Sequence, residues 1–242
     1  SANASTHAGK WEKTKYIGME VTGKTLGLIG AGNVGSVVAS RALGLKMRVI
    51  AFDPFLSAEK ALDLGVVKVH KLLELLNCSD FVSLHLPKTE KTKNMISALE
   101  INSMKPGAKI INCARGGLVD EAAVASAIAS GHLGGAAFDV FDEEPAIKNP
   151  LFGLQNVICT PHLGASTREA QLKAGSDTIK NVDLILNEGI DVVCAGLDQD
   201  SRGKPWETSA MILGLSDKIL KIYGFCNVCG MEATKTYRKE EG

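Results

Sequence analysis

From Lys24 to Thr160 the chain alternates short apolar runs with longer stretches of helical spacing, and that order admits few folds. The runs are TLGLIG, MRVIAFD, FVSLHLP, AKIINCA, GGAAFDV and NVICTPH. Alternation of this kind predicts a parallel sheet covered by helices on both faces, a doubly wound α/β fold. Between the first two runs Val34, Val38, Ala42 and Leu45 follow helical spacing, so these residues are expected to face the sheet. DEAAVASAIASG predicts a second helix closed by Gly131, with Asp120 and Glu121 suited to its N-terminal dipole.

Beyond Thr160 the texture changes. Residues Ser166 to Glu188 read as one long polar-faced helix ending at Gly189, and DVVCAGL reads as a buried strand. DQDSRGKPWE is loop-like, and an apolar helix around Met211 to Lys218 and a strand around Ile219 to Phe225 follow it. The expected division is a domain over 1–189 and a small α/β extension over 190–242.

Lys+Arg and Asp+Glu balance at 27 each, so no overall field draws the chain to nucleic acid or to an anionic membrane. A small-molecule partner fits better. No apolar run reaches the ~18 residues of a membrane span, and SANASTHAGKWEK has no apolar signal-peptide core, which points to a cytoplasmic protein. Cys78, Cys113, Cys159 and Cys194 lie in or beside apolar runs and are expected to be buried reduced thiols.

Gly30, Gly32 and Gly35 form G-x-G-x-x-G after a predicted strand and at the opening of a predicted helix. The three glycines suit a tight turn, close approach of the backbone to a pyrophosphate, and close helix–strand contact. The anion itself would rest on the helix N-terminus. Asp53 ends the next strand, where a carboxylate can accept hydrogen bonds from ribose hydroxyls. Pro54 follows and no Arg stands nearby, a pattern that favours NAD over NADP.

Arg115 in NCARGGLVDE, Glu144 in DVFDEEP and His162 in CTPHLGAST each fall just beyond a predicted strand, the edge where open parallel sheets bind ligands. Hydride transfer between NAD and an alcohol needs a group that takes or gives the hydroxyl proton. His162 suits that near neutral pH, Glu144 could orient its imidazole, and Arg115 could hold a carboxylate.

Taken in order and at these intervals, LGLIGAGNVG, AFDPF, SLHLP, INCARGGLVDE, GAAFDVFDEEP and CTPHLGAST resemble the nucleotide-binding domain of NAD-dependent D-2-hydroxy-acid dehydrogenases. The HLGAST ending is most similar to the phosphoglycerate dehydrogenase branch, which opens serine biosynthesis. The resemblance implies a Rossmann domain, a homodimer, and Arg115, Glu144 and His162 as the substrate arginine and the acid/base pair. It also implies that Asn33 and Val34 lie at the pyrophosphate, that Cys113 lies beside the cofactor, and that Asp139 contacts the nicotinamide end. Pro87 would pack beside the adenine, and Leu86, Ala114 and Gly164 complete the implied cofactor contacts. Members of that family build a substrate domain mainly from residues ahead of this one, so groups that clamp a substrate phosphate are expected to be missing here.

GIDVVCAGLDQDSRGKPW, SDKILKIYGFCNVCG and ATKTYRKEEG instead resemble, in order, the C-terminal part of zinc-containing thymidine kinases. That resemblance implies half of a Cys₄ zinc site at Cys226 and Cys229, and a segment around Thr236 that borders thymidine. Two thiolates supply only half of a tetrahedral shell. No phosphate loop of the G-x-x-x-x-G-K-[ST] kind is expected, so kinase activity is not. TREAQLK resembles both families, and a fusion joined between Ser166 and Ile190 is the expected origin of the chain.

Overall fold

A computed structural model of the chain describes residues 2–189, 207–216, 219, 224–225 and 232–233. Two compact units divide it, Ser1–Gly164 and Ala165–Gly242. Seven strands form the first unit: β1 (Thr25–Ile29), β2 (Arg48–Phe52), β3 (Val67–Val69), β4 (Phe81–Leu84), β5 (Lys109–Asn112), β6 (Gly135–Phe138) and β7 (Val157–Cys159). They lie in the order β3-β2-β1-β4-β5-β6-β7, and every neighbouring pair is parallel. The doubly wound fold expected from the alternation is therefore present. Strand order reverses between β1 and β4, and at such a switch point the loops beyond the carboxyl ends separate and leave a crevice.

Six of these strands are the six apolar runs. β3 was not foreseen: it has three residues, pairs only with β2, and leaves Val67 exposed, too little pattern to read from sequence. Around the sheet stand α1 (Ala2–His7), α2 (Asn33–Gly44), α3 (Ala58–Asp63), α4 (Leu72–Cys78), α5 (Ala98–Asn102) and α6 (Glu121–Ala129). Successive strand residues point to opposite faces and feed two cores. Leu26, Leu28, Val49 and Ala51 join Ala39 and Ala42 of α2 on one face, while Ile29, Ile50 and Leu84 join Leu75 and Leu76 of α4 on the other. Each aliphatic side chain buried this completely contributes about 1.5–3 kcal/mol relative to exposure.

Two expectations are corrected. α2 turns Gly35, Ala39 and Ala42 to the sheet, whereas Val34 and Leu45 are exposed. Small residues win that face because the helix approaches closely: a Cβ on Gly35 would collide with the Gly30 carbonyl oxygen. Among the described residues Cys78, Cys113 and Cys159 are free thiols but not buried, since Cys78 and Cys113 are exposed and Cys159 is half-buried. Cys78 ends a helix and Cys113 follows the last residue of β5, so each has left the apolar run that suggested burial.

In the second unit α7 (Arg168–Asn187) realises the long helix, and Gly189 stands at φ 73° just after it. α8 (Glu207–Leu215) begins a turn ahead of Met211 and stops short of Lys218. Its end coincides with Ser216, whose hydroxyl donates back to the Ile212 carbonyl. β8 (Gly224–Phe225) and β9 (Glu232–Ala233) form an antiparallel pair. The DVVCAGL strand, Cys194, Cys226, Cys229 and Thr236 lie outside the described residues. Among the described residues no helix is long and apolar enough to cross a membrane.

Candidate functional site

The glycine turn joins β1 to α2 at the carboxyl edge. Gly30 has φ 95°, and a Cβ there would collide with the His85 carbonyl oxygen, so only glycine fits this turn. Gly32 is the opposite case: a Cβ there would meet nothing within 4 Å, which leaves its backbone open to a ligand. Gly32 is also the N-cap of α2 and makes no side-chain cap hydrogen bond, so first-turn N–H groups face outward beside exposed Asn33 and Val34. Asp53 is fixed from both sides. Ala31 N–H donates to its Oδ2 at 2.8 Å and Phe55 N–H to its Oδ1 at 2.8 Å, and each oxygen keeps acceptor capacity for a further donor. Half-buried Leu86 and exposed Pro87 follow β4 on the same edge.

Across the crevice, Asp139 organises the turn after β7. Its carboxylate is 5% exposed and accepts from Thr160 Oγ1 (2.5 Å), Leu163 N–H (2.7 Å) and Gly164 N–H (2.9 Å). Burial pushes the carboxyl pKa up, but the bonds from Thr160, Leu163 and Gly164 outweigh it and hold it below the ordinary value. His162 N–H donates to the Asp139 carbonyl at 2.8 Å. This network holds His162 at φ 53°, a left-handed conformation that costs about 1–3 kcal/mol for a residue with a Cβ. Cys113 stands nearby: although the residue is exposed, its thiol is partly shielded from water, and that desolvation first and the charge of Asp139 second push its pKa up.

His162 and Glu144, eighteen residues apart in sequence, meet at 2.8 Å between Nδ1 and Oε2. Glu144 also accepts from Phe141 N–H at 2.9 Å through Oε1. The bonds from His162 and Phe141 lower its pKa, so it is a carboxylate and acceptor near neutral pH. In the neutral ring the hydrogen then belongs on His162 Nδ1, which directs the lone pair of Nε2 away from Glu144. Arg115 shares a pocket of about 320 Å³ with His162, Glu144 and Lys88. Buried Asn112 shapes the turn that presents it, donating from Nδ2 to the Arg115 carbonyl and accepting from Ala114 N–H. A second, mostly apolar pocket of about 580 Å³ lies against the same Glu144 and His162 and is walled by Phe141, Pro145, Phe152 and Pro161.

Sequence reasoning missed the residues that brace these groups. Asn112, Thr160 and Lys88 carried no motif of their own, and Lys88 pairs with Asp142 at 2.7 Å. It was also wrong about the phosphate loop. GMEVTGKT, residues 18–25, does spell G-x-x-x-x-G-K-T. The string leads into β1 instead of leaving a strand and opening a helix, and the three amides of its Gly-Lys-Thr end are taken: Gly23 N–H by Lys46, Lys24 N–H by Val21, Thr25 N–H by Asp80. It therefore cannot cradle phosphates as a P-loop does. No group of three or more metal-ligating side chains occurs among the described residues.

Residues 1–164 match the family described as D-isomer specific 2-hydroxyacid dehydrogenase, NAD binding domain, and residues 167–242 match thymidine kinase. The chain is 46% identical over 185 residues to D-3-phosphoglycerate dehydrogenase of Synechocystis sp., covering 76% of this chain and 33% of that protein. It is 42% identical over 218 residues to D-3-phosphoglycerate dehydrogenase of Methanocaldococcus jannaschii, covering 88% and 42%. This chain thus spans well under half the length of these curated relatives. The second alignment covers too much of the chain to stop before residue 167, so the two likenesses overlap. Among solved structures, a glyoxylate reductase from Paecilomyes thermophila superposes with TM-score 0.72 at 31% identity, covering 79% of this chain and 58% of that one.

Proposed function

The chain belongs to the D-isomer specific 2-hydroxyacid dehydrogenases, and from that premise we propose that it serves NAD-dependent oxidation of a D-2-hydroxy acid, of the D-3-phosphoglycerate dehydrogenase type. One observation carries the reading: a histidine held by a carboxylate at 2.8 Å shares a pocket with Arg115 at the edge that bears the glycine turn. Open Gly32, the uncapped start of α2 and doubly anchored Asp53 fit a dinucleotide. NAD, held at the glycine turn and Asp53, would supply the hydride acceptor for the carbinol carbon. Arg115 holds the substrate carboxylate as a bidentate donor. His162 Nε2 accepts the hydroxyl proton, and Glu144 stabilises the imidazolium that results while keeping the ring oriented. Asp139 would contact the nicotinamide end and Pro87 would pack beside the adenine, with Cys113, Leu86, Ala114 and Gly164 as further cofactor contacts.

NADH formation from NAD and a panel of D-2-hydroxy acids, 3-phosphoglycerate included, tests this. His162→Ala is expected to lower turnover by about 10²–10⁴-fold with NADH binding retained. Absence of turnover in the unaltered chain, with NADH still bound, would reduce it to a cofactor-binding module.

The same proposal includes a division into 1–189 and 190–242, with a fusion junction between Ser166 and Ile190. The thymidine kinase match from residue 167 supports a junction in that interval, while the two compact units part earlier, after Gly164. A chain ending at Gly189 should bind NADH within about twofold of the full chain, well under the tenfold that 1.4 kcal/mol produces; a larger loss overturns the division. A cytoplasmic homodimer completes the reading, and sedimentation equilibrium reports the dimer.

A further inference from the structure

We propose that Glu121 is a positioning residue for the Glu144–His162 pair, an inference that rests on reading that pair as the acid/base machinery. Glu144 sits in the connection between β6 and β7, residues 139–156, which contains no helix or strand. Connections longer than about 12–15 residues without structure of their own need bracing to hold a side chain still. Glu121 braces this one at two points that flank Glu144. Asp142 N–H donates to its Oε1 at 2.9 Å, and Asn149 Nδ2 donates to its Oε2 at 2.5 Å.

Four features make this more than a surface contact. Capping of α6 falls to Asp120, which accepts from Ala123 N–H, so the Glu121 carboxylate is free to reach across. The two adjacent amides at 141 and 142 are divided between the two glutamates: Phe141 N–H fixes Glu144 Oε1, and Asp142 N–H is fixed by Glu121. Displacement of that peptide therefore moves the donor that orients Glu144. The Arg115 loop also rests on this peptide, because a Cβ on Gly116 would overlap the Phe141 carbonyl oxygen. Asn149 is itself anchored, accepting from Leu151 N–H at 3.0 Å beside the fully buried Leu151 side chain.

Both partners donate, so the position requires two acceptor oxygens on one side chain. Glutamine has the same shape and only one, and its amide N–H₂ would face the Asn149 N–H₂. Polarity can be restored from the other side. With Asn149→Asp present, the glutamine amide can donate to residue 149, which still accepts from Leu151.

The experiment compares the full chain with Glu121→Gln and with Glu121→Gln combined with Asn149→Asp. Two quantities are read: the ¹⁵N shifts of the His162 ring nitrogens, correlated with the carbon-bound ring protons and so independent of N–H exchange, which report the Nδ1–H tautomer; and kcat for NADH formation against the Kd for NADH. The single variant is expected to lose the Nδ1–H shift pattern and to lower kcat by about tenfold or more, as sub-ångström misplacement does, with the NADH Kd within twofold. The double variant is expected to recover both. A role in stability alone would lower Tm and leave the pattern intact below the transition. Absence of the Nδ1–H pattern from the unaltered chain, its retention in Glu121→Gln, or its loss without recovery in the double variant overturns the proposal. If the unaltered chain does not turn over, the dehydrogenase reading fails and the NMR comparison still decides the part played by Glu121.

Discussion

The two walls of the crevice are built on opposite principles. The wall at β1 and β2 is backbone: a glycine with φ 95°, an open glycine, an uncapped helix start and one aspartate, all between Gly30 and Asp53. The wall at β6 and β7 is side chains, drawn from Asn112, Arg115, Glu121, Asp139, Glu144 and His162. Added atoms damage the first wall, and removed acceptors damage the second. A ligand that must be gripped by its phosphates needs space and N–H groups, whereas a proton that must move needs one imidazole nitrogen held in one tautomer.

The largest expected effect breaks the backbone wall. Gly30→Ala adds a Cβ against the His85 carbonyl at a left-handed position, and should cost about 3 kcal/mol or more in denaturant unfolding while abolishing NADH binding. Gly32→Ala meets open space, so unfolding should shift by less than about 0.5 kcal/mol while NADH affinity falls. Equal stability losses in the two variants would refute the distinction drawn between the glycines.

Next comes the buried carboxylate of the other wall. Asp139→Asn exchanges an acceptor for an N–H₂ facing the Thr160, Leu163 and Gly164 donors, and should cost about 1–3 kcal/mol. Because the folded protein lowers the Asp139 pKa, the stability it contributes is fully present above the ordinary carboxylate value of about 4 and is lost as pH falls through the lower folded value. Unfolding followed from pH 7 to about pH 2 should thus show a shallower acid loss in Asp139→Asn than in the unaltered chain. Asp80, Glu100, Asp142 and Glu144 are lowered as well, so part of the slope must remain.

The smallest effect belongs to Lys88. Its pair with Asp142 is half-exposed, and Lys88→Met should change stability by less than about 1 kcal/mol and lose most of its effect at high salt. A salt-independent loss would show that the pair belongs to the buried bracing of the side-chain wall.

Six strands were legible because each is a short, mostly apolar run between longer helical stretches, and the glycine turn because its spacing and the following Asp53 lie within one βαβ unit. The α2 face was misread for a definable reason. Helical periodicity marks which residues share a stripe but not where it is centred: Ala42 and half-buried Val38 do pack on the core, while close approach placed Gly35 and Ala39 there and left Val34 and Leu45 exposed. The string GMEVTGKT teaches the converse, since its spelling fits a phosphate loop and the amides of its Gly-Lys-Thr end are already bonded elsewhere.

By itself the sequence determined the parallel α/β order, the dinucleotide turn and the three residue types at the carboxyl edge, because each depends on groups close together along the chain. Only the tertiary structure decided that Glu144 accepts from His162, that Asp139 holds the histidine turn through three donors, and that Glu121 reaches the peptide beside Glu144. Those bonds join connections far apart in sequence, and their directions follow from how the strands are stacked side by side, which no local spacing encodes.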